Sequence, residues 1–209
     1  PILRLPVIQQ EISLTNIPLF PLGTVLFPSG RLPLQIFERR YIDMIAQCMR
    51  DGVGFGVVWI RRGSEVAEAS VTNLDLGDYG TMANIVDWDQ LPNGLLGITI
   101  EGAERFHIEE VWRESSGLTR AHVDIEPRSE PARVSDEGRS MIDVLAGLQR
   151  HPEVRRLGHT VDTTNCWEVC HVLSQLLPID NSVKYELLGI TDIHVYIEEL
   201  DTLLSELSG

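Results

Sequence analysis

Apolar and polar residues follow different patterns in the two halves of this sequence. Before Pro127, apolar residues stand in short runs broken by proline and glycine, and several runs alternate with polar residues, as in half-buried strands. After Pro131 they recur every three or four positions, which is the spacing of a buried helical face. The pattern predicts an α+β protein, with a β subdomain over residues 17–128 and a helical subdomain over 129–209.

One helix is predicted inside the β subdomain. After Glu38 the apolar residues change to helical spacing, from Tyr41 to Met49. Gly52 provides a natural C-terminal stop, because glycine adopts the left-handed conformation without strain. The prolines between residues 17 and 37 cannot donate main-chain hydrogen bonds to a sheet, so their runs are expected at sheet edges, strand starts or bulges. They are Pro18, Pro21, Pro28 and Pro33.

Further strands are expected in the β subdomain, separated by loops and turns. Residues 64–78 are polar and weakly patterned, which predicts a loop, and Asn93-Gly94 is a typical turn dipeptide. The dipeptide Gly102-Ala103 is interpreted as the turn of a hairpin. The expected strands are 54–60, 81–88, 95–101, 104–112 and 118–126.

The helical subdomain is predicted to contain four helices with recognisable ends. Small polar residues favour helix starts because their side chains accept hydrogen bonds from free main-chain N–H groups, and glycine favours helix ends. One pair also has the spacing of a capping box. The predicted caps and stops are, in order, Ser135 or Asp136, Asn165 with Glu168, Gly189 and Thr191.

Composition and charge narrow the class of protein. Of the 209 residues, 43% are hydrophobic, and no run approaches the roughly 18 apolar residues of a transmembrane helix. The net charge of −14 disfavours nucleic acid and anionic membranes as partners, and it is interpreted mainly as a solvated acidic helix face. Three cysteines leave one unpaired in any disulfide scheme, and no signal peptide is recognised, so a reducing cytoplasm is expected.

No motif for catalysis or for a cofactor is recognised. The sequence has no P-loop, no Gly-x-Ser-x-Gly elbow, and Lys184 as its single lysine. The best candidate metal ligands are Cys166, Cys170 and His171. His194 is predicted on a neighbouring helix, but the thiols lie on an apolar stripe and a second close ligand pair is missing. The cysteines are therefore interpreted as core residues, and neither a metal nor a cofactor is expected.

Several ordered blocks resemble the Lon N-terminal domain family, the substrate-binding domain of Lon proteases that also occurs as a free-standing protein. The opening blocks read Pro-Leu-Phe-Pro-Leu, then Val-Leu-Phe-Pro, then a stretch ending in Glu-Arg-Arg-Tyr, where the family commonly has proline in place of Arg39. The resemblance begins at Ile17, which leaves residues 1–16 as an N-terminal extension of unknown role. The matching blocks are 18–22, 25–30, 32–41, 55–58, 80–85 and 102–106.

The resemblance implies a twisted, partly open β-barrel of PUA-like type followed by a helical part. It also implies a bacterial, non-catalytic module that binds unfolded polypeptide or a specific protein partner, without the ATPase and protease parts of Lon. Full Lon assembles largely through those parts, so a monomer or dimer is expected more than a hexamer.

Matches to the family motifs are interpreted as structural. Glu38 in the first turn of a helix suits the helix dipole, and an arginine such as Arg40 can tie strands to a helix. Tyr41 completes the motif, and Arg105 with Phe106 is interpreted in the same way.

Partner contacts are expected instead from three tryptophans, because aromatic side chains dominate binding hot spots. These are Trp88, Trp112 and Trp167, whereas Trp59 shares strand parity with core positions. Two alternatives remain open. One is a hydrolase-type enzyme that uses Glu38 or histidines as acid–base groups in a barrel pocket. The other is RNA binding, which some PUA-like barrels perform and the net charge disfavours.

Overall fold

The computed structural model describes residues 14–62, 75–134 and 138–208. The predicted caps Ser135 and Asp136, and most of the predicted extension and loop, lie outside these ranges. In chain order the elements are β1 Thr15–Leu22, β2 Arg31–Ile36, α1 Arg39–Asp51, β3 Phe55–Arg62, β4 Asp75–Gln90, β5 Leu96–Arg113, β6 Thr119–Ile125, α2 Arg139–Gln149, α3 Pro152–Arg156, α4 Cys166–Leu176, α5 Asn181–Leu188 and α6 Ile193–Ser208. This order confirms the predicted α+β class, with one helix inserted among the strands.

Five strands form a ring in a mixed sheet. Strand β1 pairs in parallel with β3 and antiparallel with β6, and β4 joins β3 to β5. Strand β5 closes the ring by pairing with β6, while β2 adds to β5 outside the ring. The predicted partly open barrel is therefore confirmed as a ring of strands with one extension rather than as a regular barrel.

The predicted hairpin at Gly102-Ala103 is wrong, because β5 is one continuous strand of 18 residues. A Cβ atom at Gly102 would lie 2.0 Å from the main-chain oxygen of Phe27. Gly102 also exchanges main-chain hydrogen bonds with Ser29 and Gly30. The glycine therefore permits a close approach of the 27–30 turn and does not reverse the chain. The predicted 64–78 loop is also too long, since β4 begins at Asp75.

The two predicted subdomains share one hydrophobic cluster. Val25 and Phe27, from the turn after β1, are buried among residues of α2, α4, α5 and α6. Gln175 of α4 is buried there and bonds to the same turn, because its Oε1 accepts from Phe27 N at 2.9 Å and its Nε2 donates to Val25 O at 3.1 Å. Lys184 is also buried, and its Nζ donates to the carbonyl of Gln175. The helices are therefore packed on the ring of strands through both apolar and polar contacts.

Helix ends follow the predicted residues only in part. Helix α1 ends at Gly52, which has φ of 64° as expected for a glycine stop. The capping box at α4 is wrong, because Asn165 and Glu168 accept hydrogen bonds from main-chain N–H groups of preceding segments. At α6 the free N–H groups are bonded by Asp192 rather than by the predicted Thr191. No helix in the described part of the chain is long and apolar enough to cross a lipid bilayer.

Candidate binding surfaces

Four exposed apolar side chains line one concavity between the end of α1 and strand β4. They are Met49, Val53, Val86 and Trp88, and the concavity has a volume of about 520 Å³. Trp88 is 59% exposed and Val53 is 56% exposed. Single exposed apolar residues are ordinary, but a cluster around one depression is typical of an interaction site. We call these four residues and the main chain beside them the α1–β4 surface.

The main chain of β4 has an unpaired edge at this surface. Strand β3 pairs with β4 as far as the Phe55–Ala83 pair, whereas β4 continues to Gln90. Over residues 84–90 its only partner among the described strands is β5. Free strand edges can accept an extended peptide as an additional strand. The α1–β4 surface therefore combines apolar side chains with main-chain hydrogen-bonding groups.

Acidic side chains border the α1–β4 surface. Asp51 is the last residue of α1, and Asp87 and Asp89 flank Trp88 on β4, all three exposed. Asp87 also accepts a hydrogen bond from the main-chain N–H of Trp88. Arg50 is the one basic residue in the last turn of α1. The local charge is therefore negative, which favours a basic ligand and disfavours nucleic acid.

The three predicted tryptophans lie in different environments and do not form one patch. Trp88 pairs with Ile98 near one end of β5. Trp112 lies near the other end of β5, half-buried against the ring of His122 at 4.7 Å. Trp167 is only 9% exposed, because it packs in the helical cluster. Among these tryptophans, Trp88 is the one whose ring is open to a partner over most of its surface.

A second concavity lies between β5, the segment after β6 and the start of α4. Its volume is about 120 Å³. We call it the α4 groove. The lining residues used below are Gly102, Arg105, Arg128, Trp167, Glu168 and His171. The sequence indicates Arg105, Trp167 and His171 for other reasons, but it does not predict the groove, since its walls come from three distant segments.

His171 lies almost fully buried in the wall of the α4 groove, with 8% exposure. Its ring packs against those of Phe27, Trp167 and Tyr196, at centroid distances of 6.2, 5.6 and 5.5 Å. Neither ring nitrogen has a hydrogen bond to another described residue, and the ring lines the groove. Burial, helped by the charge of Arg105, lowers the pKa of His171 to about 3, so its ring is neutral at pH 7.

Arg105 joins the ring of strands to the helices. Its Nη1 donates to the carbonyl oxygen of Leu188, the last residue of α5, at 2.6 Å and to that of Ile190 at 3.1 Å. Its Nε and Nη2 donate to the carboxylate of Glu126. The next residue, Phe106, is fully buried among the strands. Arg105 is thus engaged by hydrogen bonds on both sides, and the Phe106 ring belongs to the core between the strands.

Glu38, Arg40 and Tyr41 form a connected group at the start of α1. Arg40 Nη2 lies 2.8 Å from the Glu38 carboxylate, and its Nη1 donates to the carbonyl of Gly117 at 2.9 Å. Its guanidinium lies over the Tyr41 ring, which stacks on Phe20 at 4.1 Å. Glu38 and Arg40 line neither concavity described above. The contacts fasten α1 to the β5–β6 turn, and the Glu38 carboxylate is engaged by its ion pair.

The candidate metal ligands are separated into different environments. Cys166 and Cys170 are both buried in the helical cluster, with sulfur atoms 4.0 Å apart. His194 lies exposed near the start of α6. Within the described ranges, no group of three or more His, Cys, Asp or Glu side chains is arranged to hold a metal ion. The thiols therefore contribute apolar packing here.

Comparisons with known proteins identify the family of this chain. The family of the ATP-dependent protease La (Lon) substrate-binding domain matches residues 16–206, and the chain belongs to this family. The chain is 31% identical over 123 residues to the Lon protease of Anaeromyxobacter dehalogenans. That match covers 58% of this chain but only 14% of the protease. The chain therefore corresponds to a small part of the length of this relative.

Two solved structures have the same fold. The Lon N-terminal domain protein from Xanthomonas campestris is 27% identical, with a TM-score of 0.69, and the match covers 90% of this chain and 98% of that one. The N-terminal domain of the Mycobacterium avium complex Lon protease is 18% identical, with a TM-score of 0.58 and coverage of 90% and 97%. The predicted family and fold are thereby confirmed.

Proposed function

We propose that this protein is a non-catalytic polypeptide-binding module whose α1–β4 surface holds extended segments that carry apolar and basic side chains. The observation that carries the proposal is the cluster of Met49, Val53, Val86 and Trp88 around one concavity beside an unpaired strand edge. Membership of a substrate-binding domain family supports it. We also propose a reducing cytoplasmic location, which the three free cysteines support.

Two kinds of contact would act together at this surface. Apolar side chains of the ligand would cover Trp88 and its neighbours, and each buried Å² contributes about 25 cal/mol before the costs of association. The main chain of the ligand would add hydrogen bonds at the β4 edge, which do not depend on its sequence. This combination fits a module that selects unfolded segments by composition rather than by one fixed motif.

Charge would refine the selection. Asp51, Asp87 and Asp89 would repel acidic segments and attract lysine or arginine beside the apolar residues. Because these acids are exposed, salt would screen their contribution while leaving the apolar contribution in place. Two salt concentrations therefore separate the two contributions.

The test is fluorescence anisotropy with labelled unfolded peptides of equal length that are apolar, apolar with basic flanks, apolar with acidic flanks, or basic without apolar residues. We expect the apolar peptide with basic flanks to bind most tightly, with Kd in the micromolar range, or about −8 kcal/mol. Added salt should reduce its advantage over the neutral apolar peptide. Equal binding of all four peptides, or binding of the purely basic peptide alone, would contradict the proposal.

A further inference from the structure

Several hydrogen-bond donors of the α4 groove have no partner among the described residues. Helix α4 begins there, and the main-chain N–H groups of Trp167 and Glu168 have no partner among the described residues. Arg128 bonds through Nε to Glu104, which leaves both terminal nitrogens of its guanidinium unbonded within the described ranges. The neutral ring of His171 carries one further N–H group. A ligand with acceptor oxygens would give these donors partners.

Each acidic side chain that lines the groove is engaged through at least one of its oxygens. Glu126 accepts from Arg105, and Glu104 lies 2.7 Å from Arg128. One oxygen of Glu168 accepts from the main-chain N–H of Asp162 at 3.0 Å. The start of a helix carries a partial positive charge, and an arginine with free terminal nitrogens can hold a carboxylate. The chemistry best matched to the groove is therefore a carboxylate.

The remaining wall of the groove is aromatic. The rings of Trp167 and His171 lie one helical turn apart on α4, with centroids 5.6 Å apart. Both residues are at least nine-tenths buried, so the wall is held firmly by the helical cluster. A volume of about 120 Å³ suits one small group rather than a long segment. An apolar or aromatic substituent beside the carboxylate would pack on this wall.

We propose that the α4 groove is a second binding site, which holds a carboxylate bearing one apolar or aromatic group. The carboxylate accepts from the N–H groups at the start of α4 and from Arg128, and the substituent lies against Trp167 and His171. The C-terminal residue of a polypeptide and a free small carboxylic acid share this chemistry. The site is separate from the α1–β4 surface and does not depend on peptide binding there.

The test uses N-acetyl-phenylalanine and its amide, together with a short peptide ending in phenylalanine as the free acid and as the amide. Calorimetry gives the affinity, and the indole N–H signal of Trp167, assigned with Trp167→Phe, reports the location in ¹H–¹⁵N spectra. We expect the two acids to bind and to shift this signal, and amidation to weaken each by about tenfold or more. Binding of only the peptide acid or only the small acid also supports the site, and it shows whether the carboxylate comes from a polypeptide C-terminus or from a free small acid.

Two substitutions are expected to change the acid affinity in opposite directions, and loss of folding cannot produce both changes. Arg128→Gln should weaken acid binding by about tenfold, because a charged donor is lost from an exposed side chain. Glu168→Gln should tighten it about threefold, because a negative charge at the helix start is removed while the Oε1 acceptor for Asp162 is kept. The control is Arg113→Gln, which removes the same charge from an exposed arginine at the end of β5, outside the groove, and should have no effect.

The results that overturn the proposal are equally specific. They are equal binding of acids and amides, no binding by either acid, or acid binding that Arg128→Gln and Glu168→Gln leave unchanged. Trp88→Ala should not alter acid binding in the groove. If the unsubstituted protein binds the acids in the α4 groove but binds none of the unfolded peptides, the proposed function alone is rejected.

Discussion

Gln175 bonds to the Phe27 turn through both ends of its amide, although 148 residues separate the two positions in sequence. Its Oε1 accepts from Phe27 N, and its Nε2 donates to Val25 O. All these atoms are buried between the strands and the helices. Buried main-chain groups depend on such partners, because water does not reach them.

Gln175→Leu should therefore lower the free energy of unfolding by about 2–4 kcal/mol, since it leaves two buried main-chain groups unbonded. Chemical denaturation of both proteins measures this difference. Gln47→Leu, on the exposed face of α1, is the matched control and should change stability by less than about 0.5 kcal/mol. Equal stability of the Gln175 variant and the unsubstituted protein would show that the two hydrogen bonds of Gln175 contribute little.

Trp88→Ala should weaken binding of the apolar peptide with basic flanks by about thirtyfold, as loss of a central aromatic contact does. Because the ring is 59% exposed, the unfolding midpoint should change little. Anisotropy titrations and a thermal melt of the same sample check both statements. Leu207→Ala removes an exposed apolar side chain of α6 and should leave peptide binding unchanged. Equal losses in the two variants would point to a general surface effect.

Gly102→Ala should be strongly destabilising, by about 3 kcal/mol or more, because the new Cβ would meet the Phe27 main-chain oxygen, which cannot move without shifting the turn. Gly147→Ala is the control, since nothing lies within 4 Å of a Cβ at that position in α2. That change should raise stability by about 0.5–1 kcal/mol through helix propensity. Unfolding midpoints of the two variants should therefore move in opposite directions.

Protonation of His171 should oppose folding in acid. Its pKa is about 3 in the folded protein and near 6.5 when unfolded, so the unfolded chain binds more protons between these values. The stability linked to the neutral ring is complete above about pH 6.5 and is lost as the pH falls towards 3. The groups that face the ring include the Arg105 charge and the rings of Trp167 and Tyr196.

His171→Leu should remove this dependence. Between about pH 6 and pH 4 the free energy of unfolding of the unsubstituted protein should fall by up to about 1.4 kcal/mol per pH unit more than that of the variant. Urea unfolding at several pH values gives the comparison. His159, whose pKa is also lowered by burial, is present in both proteins and cancels in the difference. Parallel stability curves for the two proteins would mean that the ring is not held neutral by its surroundings.

Local signals account for the parts of the fold that could be predicted from sequence. The α1 helix and its stop at Gly52 depend on residues within one turn, and both are confirmed. The role of Gly102 is not predictable in this way, because its small size is required by the Phe27 turn, 75 positions earlier in the chain. Asn165 stands at the predicted start of α4, but its side chain accepts from the main chain at Ala132 instead of capping the helix. These interactions join distant segments and leave no short-range pattern.

The candidate surfaces were predictable to a smaller extent. Trp88 stands out in sequence beside acidic residues, and its exposure agrees with that reasoning. The helical spacing predicts Met49 on the apolar face of α1, yet it is exposed and lines the concavity beside β4. Trp167 lies off the predicted stripe but is buried by Tyr196 of another helix. Exposure at these positions depends on how whole elements pack, which periodicity does not encode.

The burial of Lys184 has a practical consequence for following this protein in mixtures. It is the only lysine of the chain, and its ammonium group is enclosed in the same contacts that hold α5 against α4. Burial also lowers its pKa. Reagents that acylate primary amines therefore reach this side chain only when α5 separates from α4. The extent of acylation at Lys184 thus measures how often the native packing opens, without any engineered probe.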